Sequence, residues 1–186
     1  MIVRFVAAFL LAMVIPAAAQ DAYPSRAVRI LVPYAPGGAT DIIARIVAVK
    51  LSESLGQSFI VENRTGANGN LALEAAAKAA PDGYTLLVGN VSTNAINESI
   101  YREQLTIQPS RDLVGITKLV EIPHIVVASS SFPPNSIAEL VAAAKKEPGK
   151  FNFASVGLGS YPHLDMERFM RADLVGAFFG PLSDGP

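Results

Sequence analysis

The chain has no cysteine among its 186 residues, which excludes disulfide bonds, thiolate metal sites and an acylated lipoprotein anchor. It also lacks blocks of like charge, because 15 basic and 16 acidic residues are interspersed. The charge pattern of proteins that bind nucleic acid or anionic membranes is therefore missing. The two histidines, His124 and His163, stand far apart without an acidic cluster beside them, so we expect neither a metal site nor a cofactor. The composition favours small molecules or proteins as partners.

The N-terminus has the organisation of a secretory signal peptide. Arg4 supplies a positive region, residues 5–15 form an apolar core too short to span a bilayer comfortably, and residues 17–19 are alanines that suit signal peptidase. We predict export and cleavage after Ala19, with residues 1–19 as the signal peptide. A membrane anchor that stays attached is the alternative.

Strand and helix signals alternate in the first part of the chain, as in an α/β protein with a parallel sheet. Residues 28–32 predict a strand. A helix follows over 41–55, where apolar residues recur at helical spacing, Asp41 and Arg45 stand one turn apart, and Gly56 ends the helix. The further elements predicted are a strand at 59–61, an alanine-rich helix at 71–80, a turn at 81–83 and a buried strand at 84–88.

The pattern restarts after about Asp112, and we predict a second lobe. The first lobe is expected over residues 20–120 and the start of the second over 121–186. The elements predicted after Asp112 are strands at 114–120, 124–128 and 151–154, a helix that begins with a capping box of Ser136 and Glu139, and a glycine-rich turn at 155–160 that leads into a helix capped by Ser160.

In the run 30–41, an apolar strand passes through two glycines directly into a helix start. Glycine lets the backbone turn with its N–H groups accessible, and the first turn of a helix has unpaired N–H donors at the positive end of its dipole. A carboxylate or phosphate fits such a junction. The spacing matches neither the dinucleotide-binding nor the P-loop fingerprint. A tight structural turn without a ligand is the alternative interpretation.

A second polar run, 89–94, follows a predicted strand. Ligands bind at the carboxyl ends of the strands in open α/β sheets. Ser92 and Thr93 therefore either hydrogen-bond a ligand carboxylate or cap local backbone. Neither this run nor the glycine-rich runs 30–41 and 155–160 carry Arg or Lys. Together the three loops indicate a pocket that binds a carboxylate through neutral dipoles and bound water.

Three residue types found in serine hydrolases occur close together at Ser160, His163 and Asp165. They raise the alternative of a secreted serine hydrolase. A serine nucleophile needs a strained Gly-x-Ser-x-Gly elbow, and residues this close along one helix start do not easily form the required line. We therefore predict that the chain is not an enzyme, that His163 bonds backbone or ligand, and that His124 is a satisfied strand histidine.

These features belong to a dense, ordered set of motifs between about residues 23 and 167. Through them the chain resembles the Bug-type periplasmic solute receptors, the substrate-binding components of tripartite tricarboxylate transporters. The motifs are Tyr23-Pro24, the run 32–41, Val61-Glu62-Asn63-Arg64, Gly66 with Gly69-Asn70, the run 79–87, Ala95-Ile96-Asn97, and Gly159-Ser160 with His163-Leu164 and Glu167.

The resemblance implies a type II periplasmic-binding-protein fold of class α/β, with two lobes of mostly parallel sheet that close around a small carboxylate. It also implies that backbone N–H groups, hydroxyls and bridging waters hold the ligand. The positions carried over are Tyr34 beside the ligand, Gly37, Gly38 and Ala39 as backbone donors, Thr40 and Asp41 as residues that fix the loop, Ser92 and Thr93 in the wall of the first lobe, and Gly157, Ser160 and His163 in the second lobe.

The chain departs from the family pattern after Glu167 and stops at Pro186, whereas family members continue well beyond this point. The resemblance therefore implies the N-terminal part of a receptor, with an incomplete second lobe. The implied function is a periplasmic receptor that binds a small carboxylate for the membrane subunits of a tripartite tricarboxylate-type transporter, as a monomer when full length. A truncated receptor without activity is the alternative.

Overall fold

A computed structural model describes residues 22–155, 157–172 and 179–181 of the chain. The predicted signal peptide and its cleavage after Ala19 lie outside these residues. Among the helices that are described, none is both long enough and apolar enough to cross a membrane.

The main sheet consists of three strands, namely β1 (Val28–Val32), β2 (Phe59–Asn63) and β3 (Thr85–Leu87). Their order is β2–β1–β3 and both pairings are parallel, with Val28 opposite Phe59 and Arg29 opposite Thr85. Parallel strands need crossover connections. The helix α1 (Ala39–Leu55) joins β1 to β2, and α2 (Asn70–Ala77) lies between β2 and β3. This confirms the predicted α/β class with a parallel sheet.

The core lies between β1 and α1. Ile30 and Val32 are almost completely buried against Ala44 and Ala48 of the helix, whose small side chains let the helix approach the sheet. Leu31 is equally buried on the opposite face of β1, as expected for a central strand covered on both sides. Each of the larger aliphatic side chains contributes about 1.5–3 kcal/mol through burial.

Glycines flank α1 at both ends. Gly38 is the N-cap residue in extended conformation, so the helix begins at Ala39 rather than at the predicted Asp41. Gly56 follows the last turn with a left-handed φ of 69°, which confirms the predicted helix end. The predicted pair of Asp41 and Arg45 forms at 3.0 Å.

The predicted bounds of the other elements of the sheet shift by a few residues. β2 extends to Asn63, and α2 ends at Ala77. The buried strand predicted at 84–88 is shortened to Thr85–Leu87, and its residues are only half-buried. The reason is its place in the sheet, because in the described part of the chain β3 pairs with β1 alone and forms an edge.

Short helical segments follow β3. A π-helical turn, Ser92–Ile96, runs directly into α3 (Asn97–Ile100), and α4 (Pro109–Asp112) comes next. π-Helical turns are rare and are found frequently at functional sites. The π-helical turn therefore indicates that the residues immediately after β3 belong to a functional site.

The strands predicted at 114–120 and 124–128 do not form, and these two predictions are wrong. Both segments run without strand hydrogen bonds, and several of their apolar side chains are exposed, including Val114 (91%) and Val127 (78%). A strand is stabilised by cross-strand neighbours as well as by its own β propensity. In the described part of the chain, neither segment has a paired neighbour.

The later elements are α5 (Ile137–Lys146), β4 (Phe151–Phe153), α6 (Tyr161–Ala172) and β5 (Phe179–Pro181). β4 and β5 pair in parallel. Ser136 caps α5 as predicted, since its Oγ accepts from the Glu139 N–H at 3.2 Å. The Glu139 carboxylate accepts from the Asn135 N–H at 2.9 Å, one residue before the position expected for a capping box.

Candidate ligand-binding site

The loops after β1 and β3 leave the sheet at a topological switch point. The strand order β2–β1–β3 places the next strand after β1 on one side of it and β3 on the other. In doubly wound sheets, the crevice outside the carboxyl ends of two such strands is where ligands bind. The loop around Tyr34 and the turn at Ser92 therefore form the two walls of the candidate site.

Open N–H donors are available at the start of α1. Its first helical bond runs from Ile42 N to Gly38 O at 3.0 Å, and the preceding residues of the turn have no intrahelical acceptor. Gly38 and Ala39 are exposed, and Thr40 is half-buried. The Gly37 N–H, also predicted as a ligand donor, is engaged instead by Asp41 Oδ2 at 2.9 Å.

Asp41 is buried and holds the glycine loop against the neighbouring strand. Its carboxylate accepts from Gly37 N, from Arg45 Nε at 3.0 Å and from Asn63 Nδ2 at 2.9 Å. The hydrogen bond from Arg45, followed by those from Gly37 and Asn63, lowers the pKa of Asp41 from 3.8 to about 2. Asp41 is therefore ionised at neutral pH, and both of its oxygens are engaged by donors of the chain.

Tyr34 connects the two walls of the crevice. Its hydroxyl donates to Asn90 Oδ1 at 2.9 Å. Burial raises the pKa of the Tyr34 hydroxyl, although its hydrogen bond with Asn90 lowers it. The same Asn90 oxygen accepts from the Ser92 N–H at 2.9 Å.

The hydroxyls of Ser92 and Thr93 are both buried and bonded within the chain. Thr93 Oγ1 accepts from Asn90 N at 3.0 Å and lies 2.9 Å from Asn94 Oδ1. Ser92 Oγ accepts from Tyr161 N, the first residue of α6, at 2.9 Å. These contacts match the capping alternative for the two residues, and their contact with a ligand stays a prediction.

The second glycine-rich turn packs against the first part of the chain. Besides the bond to Ser92, the Tyr101 hydroxyl donates to Leu158 O at 3.3 Å. A Cβ at Gly159 would lie 3.1 Å from Ile100 Cδ1, so the absence of a side chain there permits the close approach. The three predicted loops are therefore joined by one series of hydrogen bonds: Tyr34 to Asn90, Asn90 to Ser92, and Ser92 to Tyr161.

Ser160 precedes α6, as predicted, and its carbonyl accepts from Leu164 N at 3.0 Å. Its hydroxyl is buried and makes no hydrogen bond to any described residue, so the expected side-chain cap is missing. His163 Nδ1 instead accepts from Gly159 N at 3.3 Å. Gly157, the remaining predicted residue of this turn, has a φ of 131°, which favours glycine.

No hydrolase relay connects Ser160, His163 and Asp165. Ser160 Oγ does not bond to His163, and the Asp165 carboxylate lies 2.6 Å from His124 Nδ1. His124 thus has a polar partner as predicted, although it does not lie in a strand. Within the described residues, no cluster of acidic or histidine side chains is suited to a metal ion.

Gly69 is a residue of the site that sequence reasoning did not single out as functional. Its φ is 88°, and a Cβ there would lie 2.6 Å from Thr93 Cγ2 and 2.8 Å from Pro33 Cβ. The loops after all three strands of the main sheet therefore meet at this residue. A glycine beside asparagines after β2 was the only local signal.

Asn97 is a second residue to which the sequence analysis assigned no role, although it stands in the motif Ala95-Ile96-Asn97. It is fully buried, and its Nδ2 donates to Asn68 O at 2.9 Å and to Asn70 Oδ1 at 2.6 Å, while its Oδ1 accepts from Asn68 Nδ2. This network joins the turn after β2 to the end of the π-helical turn. It holds the helical turn that carries Ser92 beside the sheet.

Comparison with known proteins places these features in one family. The sequence profile of the tripartite tricarboxylate transporter family receptor (TctC) matches residues 43–181. A UPF0065 protein of Bordetella pertussis is 37% identical over 177 residues, which cover 93% of this chain and 53% of that protein.

Solved structures agree with this match. One structure, described as that of a periplasmic transporter, has a TM-score of 0.80 and 39% identity. The match covers 87% of this chain and 54% of the transporter chain. MatC of Rhodopseudomonas palustris with bound malate has a TM-score of 0.75 and 33% identity. The match covers 87% of this chain and 54% of the MatC chain. This chain thus spans about half the length of these relatives.

The resemblance predicted from the motifs and the α/β fold of periplasmic binding proteins are both confirmed. The chain belongs to the tripartite tricarboxylate transporter receptor family.

Proposed function

We propose that the chain binds a small carboxylate as the N-terminal part of a solute receptor, and that the carboxylate lies in the crevice between the loops after β1 and β3. The observation that carries this proposal is the open helix start at Gly38, Ala39 and Thr40. Their N–H groups stand at the positive end of a 17-residue helix, at the topological switch point of the sheet.

The charge of the crevice supports a carboxylate held by neutral groups. Arg45 is paired with Asp41, and no Arg or Lys occurs in the three loops. The donors that remain include backbone N–H groups and side-chain amides. Such donors bind a carboxylate well when the surrounding structure orients them in advance. The malate in the MatC structure is a carboxylate of the proposed size.

The remaining parts of the proposal follow from family membership. We propose that the receptor acts in the periplasm after cleavage of residues 1–19, delivers its ligand to the membrane subunits of a tripartite tricarboxylate-type transporter, and is monomeric when full length. The first lobe is proposed to end near residue 120. Binding without catalysis is favoured by the missing contact between Ser160 and His163.

Titration calorimetry of the chain with malate and a panel of other dicarboxylates tests the proposal. Saturable binding of at least one dicarboxylate is expected, with no turnover of ester substrates. The absence of heat for every member of the panel would support the alternative of an inactive receptor fragment. Ester hydrolysis that disappears in Ser160→Ala would support the hydrolase instead.

A further inference from the structure

The Asn90 side chain is oriented by the chain itself. Its Oδ1 accepts from the Ser92 N–H and from the Tyr34 hydroxyl, each at 2.9 Å. A backbone N–H only donates, so the amide oxygen and not the nitrogen must face Ser92. The amide nitrogen is thereby fixed on the other side of the group.

The amide nitrogen of Asn90 is free to bind a ligand. Asn90 is exposed at the carboxyl end of β3, and its Nδ2 has no hydrogen-bond partner among the residues that the structure describes. It carries two N–H donors. Asn90 follows β3 and α1 follows β1, so the two lie on opposite sides of the switch point, and Tyr34 ties Asn90 to the loop after β1.

The Asp41 carboxylate is not free to pair with an ammonium group of a ligand. Both oxygens of Asp41 are occupied by Gly37, Arg45 and Asn63. An ammonium group that enters the crevice would lose water and face N–H donors, which is strongly unfavourable. A hydroxyl, keto or carboxylate oxygen would instead accept from those donors.

We propose that Asn90 donates its amide N–H groups to an oxygen of the bound carboxylate, so that the site selects hydroxy-, keto- or unsubstituted acids over amino acids. This inference rests on the proposed function and specifies its ligand class. Asn90 acts as a specificity-determining residue, held in place by Tyr34 and Ser92.

The direct test compares malate with aspartate, which differ by a hydroxyl and an ammonium group at one carbon. Titration calorimetry of the full chain at neutral pH should give a dissociation constant for malate that is lower than that for aspartate by about tenfold or more, the scale of one unmet polar contact. This comparison requires no variant.

The variant Asn90→Asp tests the residue. One carboxylate oxygen continues to accept from Ser92 and Tyr34, whereas the other replaces the N–H donors. We expect the preference for malate over aspartate to fall by about tenfold. Asn94→Asp is the matched control, because it adds the same charge to the same turn, and Asn94 is exposed with its oxygen already engaged by Thr93. The control should change the preference much less.

Two contrary results are distinguishable. If malate and aspartate bind equally well and Asn90→Asp shifts their ratio no more than Asn94→Asp does, the role of Asn90 is wrong and carboxylate binding stands. If the native chain binds neither these acids nor any other dicarboxylate, the proposed function and this inference are both overturned.

Discussion

Ser92 Oγ accepts a hydrogen bond from the Tyr161 N–H at 2.9 Å, across 69 residues of sequence. A hydroxyl from the turn after β3 thereby satisfies an N–H at the start of α6, which has no acceptor inside its own helix. Ser92 also donates its N–H to Asn90 Oδ1. Ser92 therefore connects the start of α6 to the candidate site.

Removal of this hydroxyl should loosen the start of α6. Ser92→Ala is expected to lower the free energy of unfolding by about 0.5–2 kcal/mol, the range for loss of a helix cap, and to speed hydrogen exchange at the Tyr161 amide. Exchange measured by NMR gives the local effect. Ser99→Ala, at an exposed position of α3, is the control and should leave this amide unchanged. Unaltered exchange in Ser92→Ala would show that the contact is not maintained in solution.

Asp41 is expected to stabilise the chain in a pH-dependent way. Its pKa is lowered from 3.8 to about 2, so the folded state favours the ionised form. This contribution is fully present above pH 3.8 and disappears as the pH falls through about 2. Asp41→Asn should therefore lower the melting temperature at pH 7, and its difference from the native chain should vanish in strong acid.

Glu53→Gln is the control for that experiment. Glu53 lies on the same helix and pairs with Lys50 at 2.8 Å, but both side chains are largely exposed. Exposed pairs contribute about 0–1 kcal/mol, so the control should melt close to the native chain at every pH. An equal effect of the two substitutions would contradict the proposed role of Asp41.

Gly69→Ala should disturb the point where the three loops meet. Its Cβ would overlap Thr93 Cγ2 and Pro33 Cβ, so we expect a loss of about 1–3 kcal/mol from overpacking, in addition to the strain of a positive φ. Gly56→Ala is the matched control, since Gly56 also has a positive φ but has open space around its Cβ position. Chemical denaturation measures both.

A second substitution separates crowding from backbone strain. Thr93→Ser removes the Cγ2 that the new Cβ would strike, so it should restore part of the stability lost in Gly69→Ala. No such rescue is expected when Thr93→Ser is combined with Gly56→Ala. Equal losses at both glycines without rescue would show that the loops do not meet as described.

The glycine loop was predictable from the sequence because its signals are local. An apolar strand, two glycines and a periodic helix follow one another within 28–55, and each depends on neighbours a few residues away. The i to i+4 spacing of Asp41 and Arg45 predicted their contact for the same reason.

Features that depend on distant partners were not predictable. The strands expected at 114–120 and 124–128 had suitable composition, but a strand also needs a neighbour that local sequence does not supply. The Asn97 network joins residues 27 to 29 positions apart, and Asn90 becomes significant only when Tyr34 and Ser92 orient it. Polar residues after a strand indicate a site, but their contacts decide which atoms remain free.

Gly38→Val should weaken ligand binding without unfolding the chain. Gly38 has an ordinary extended conformation, and a Cβ there would lie 3.7 Å from Ala35 O, which is normal contact. The larger side chain covers the N–H donors of the helix start. We therefore expect the free energy of malate binding to become less favourable by about 1–3 kcal/mol. Gly115→Val, at a position where a Cβ would meet nothing within 4 Å, should bind normally. Equal affinities in calorimetry would mean that the loop is only a structural turn.

The central claim is that the first turn of α1 and the facing Asn90 hold a carboxylate. Titration of the ¹⁵N-labelled chain with malate, followed by NMR, tests it at individual atoms. The account predicts saturable shifts concentrated at the backbone amides of Gly38, Ala39 and Thr40 and at the Asn90 side-chain amide, with the Gly37 amide less affected because Asp41 already binds it. Saturable shifts located elsewhere, or none at these amides, would contradict the account.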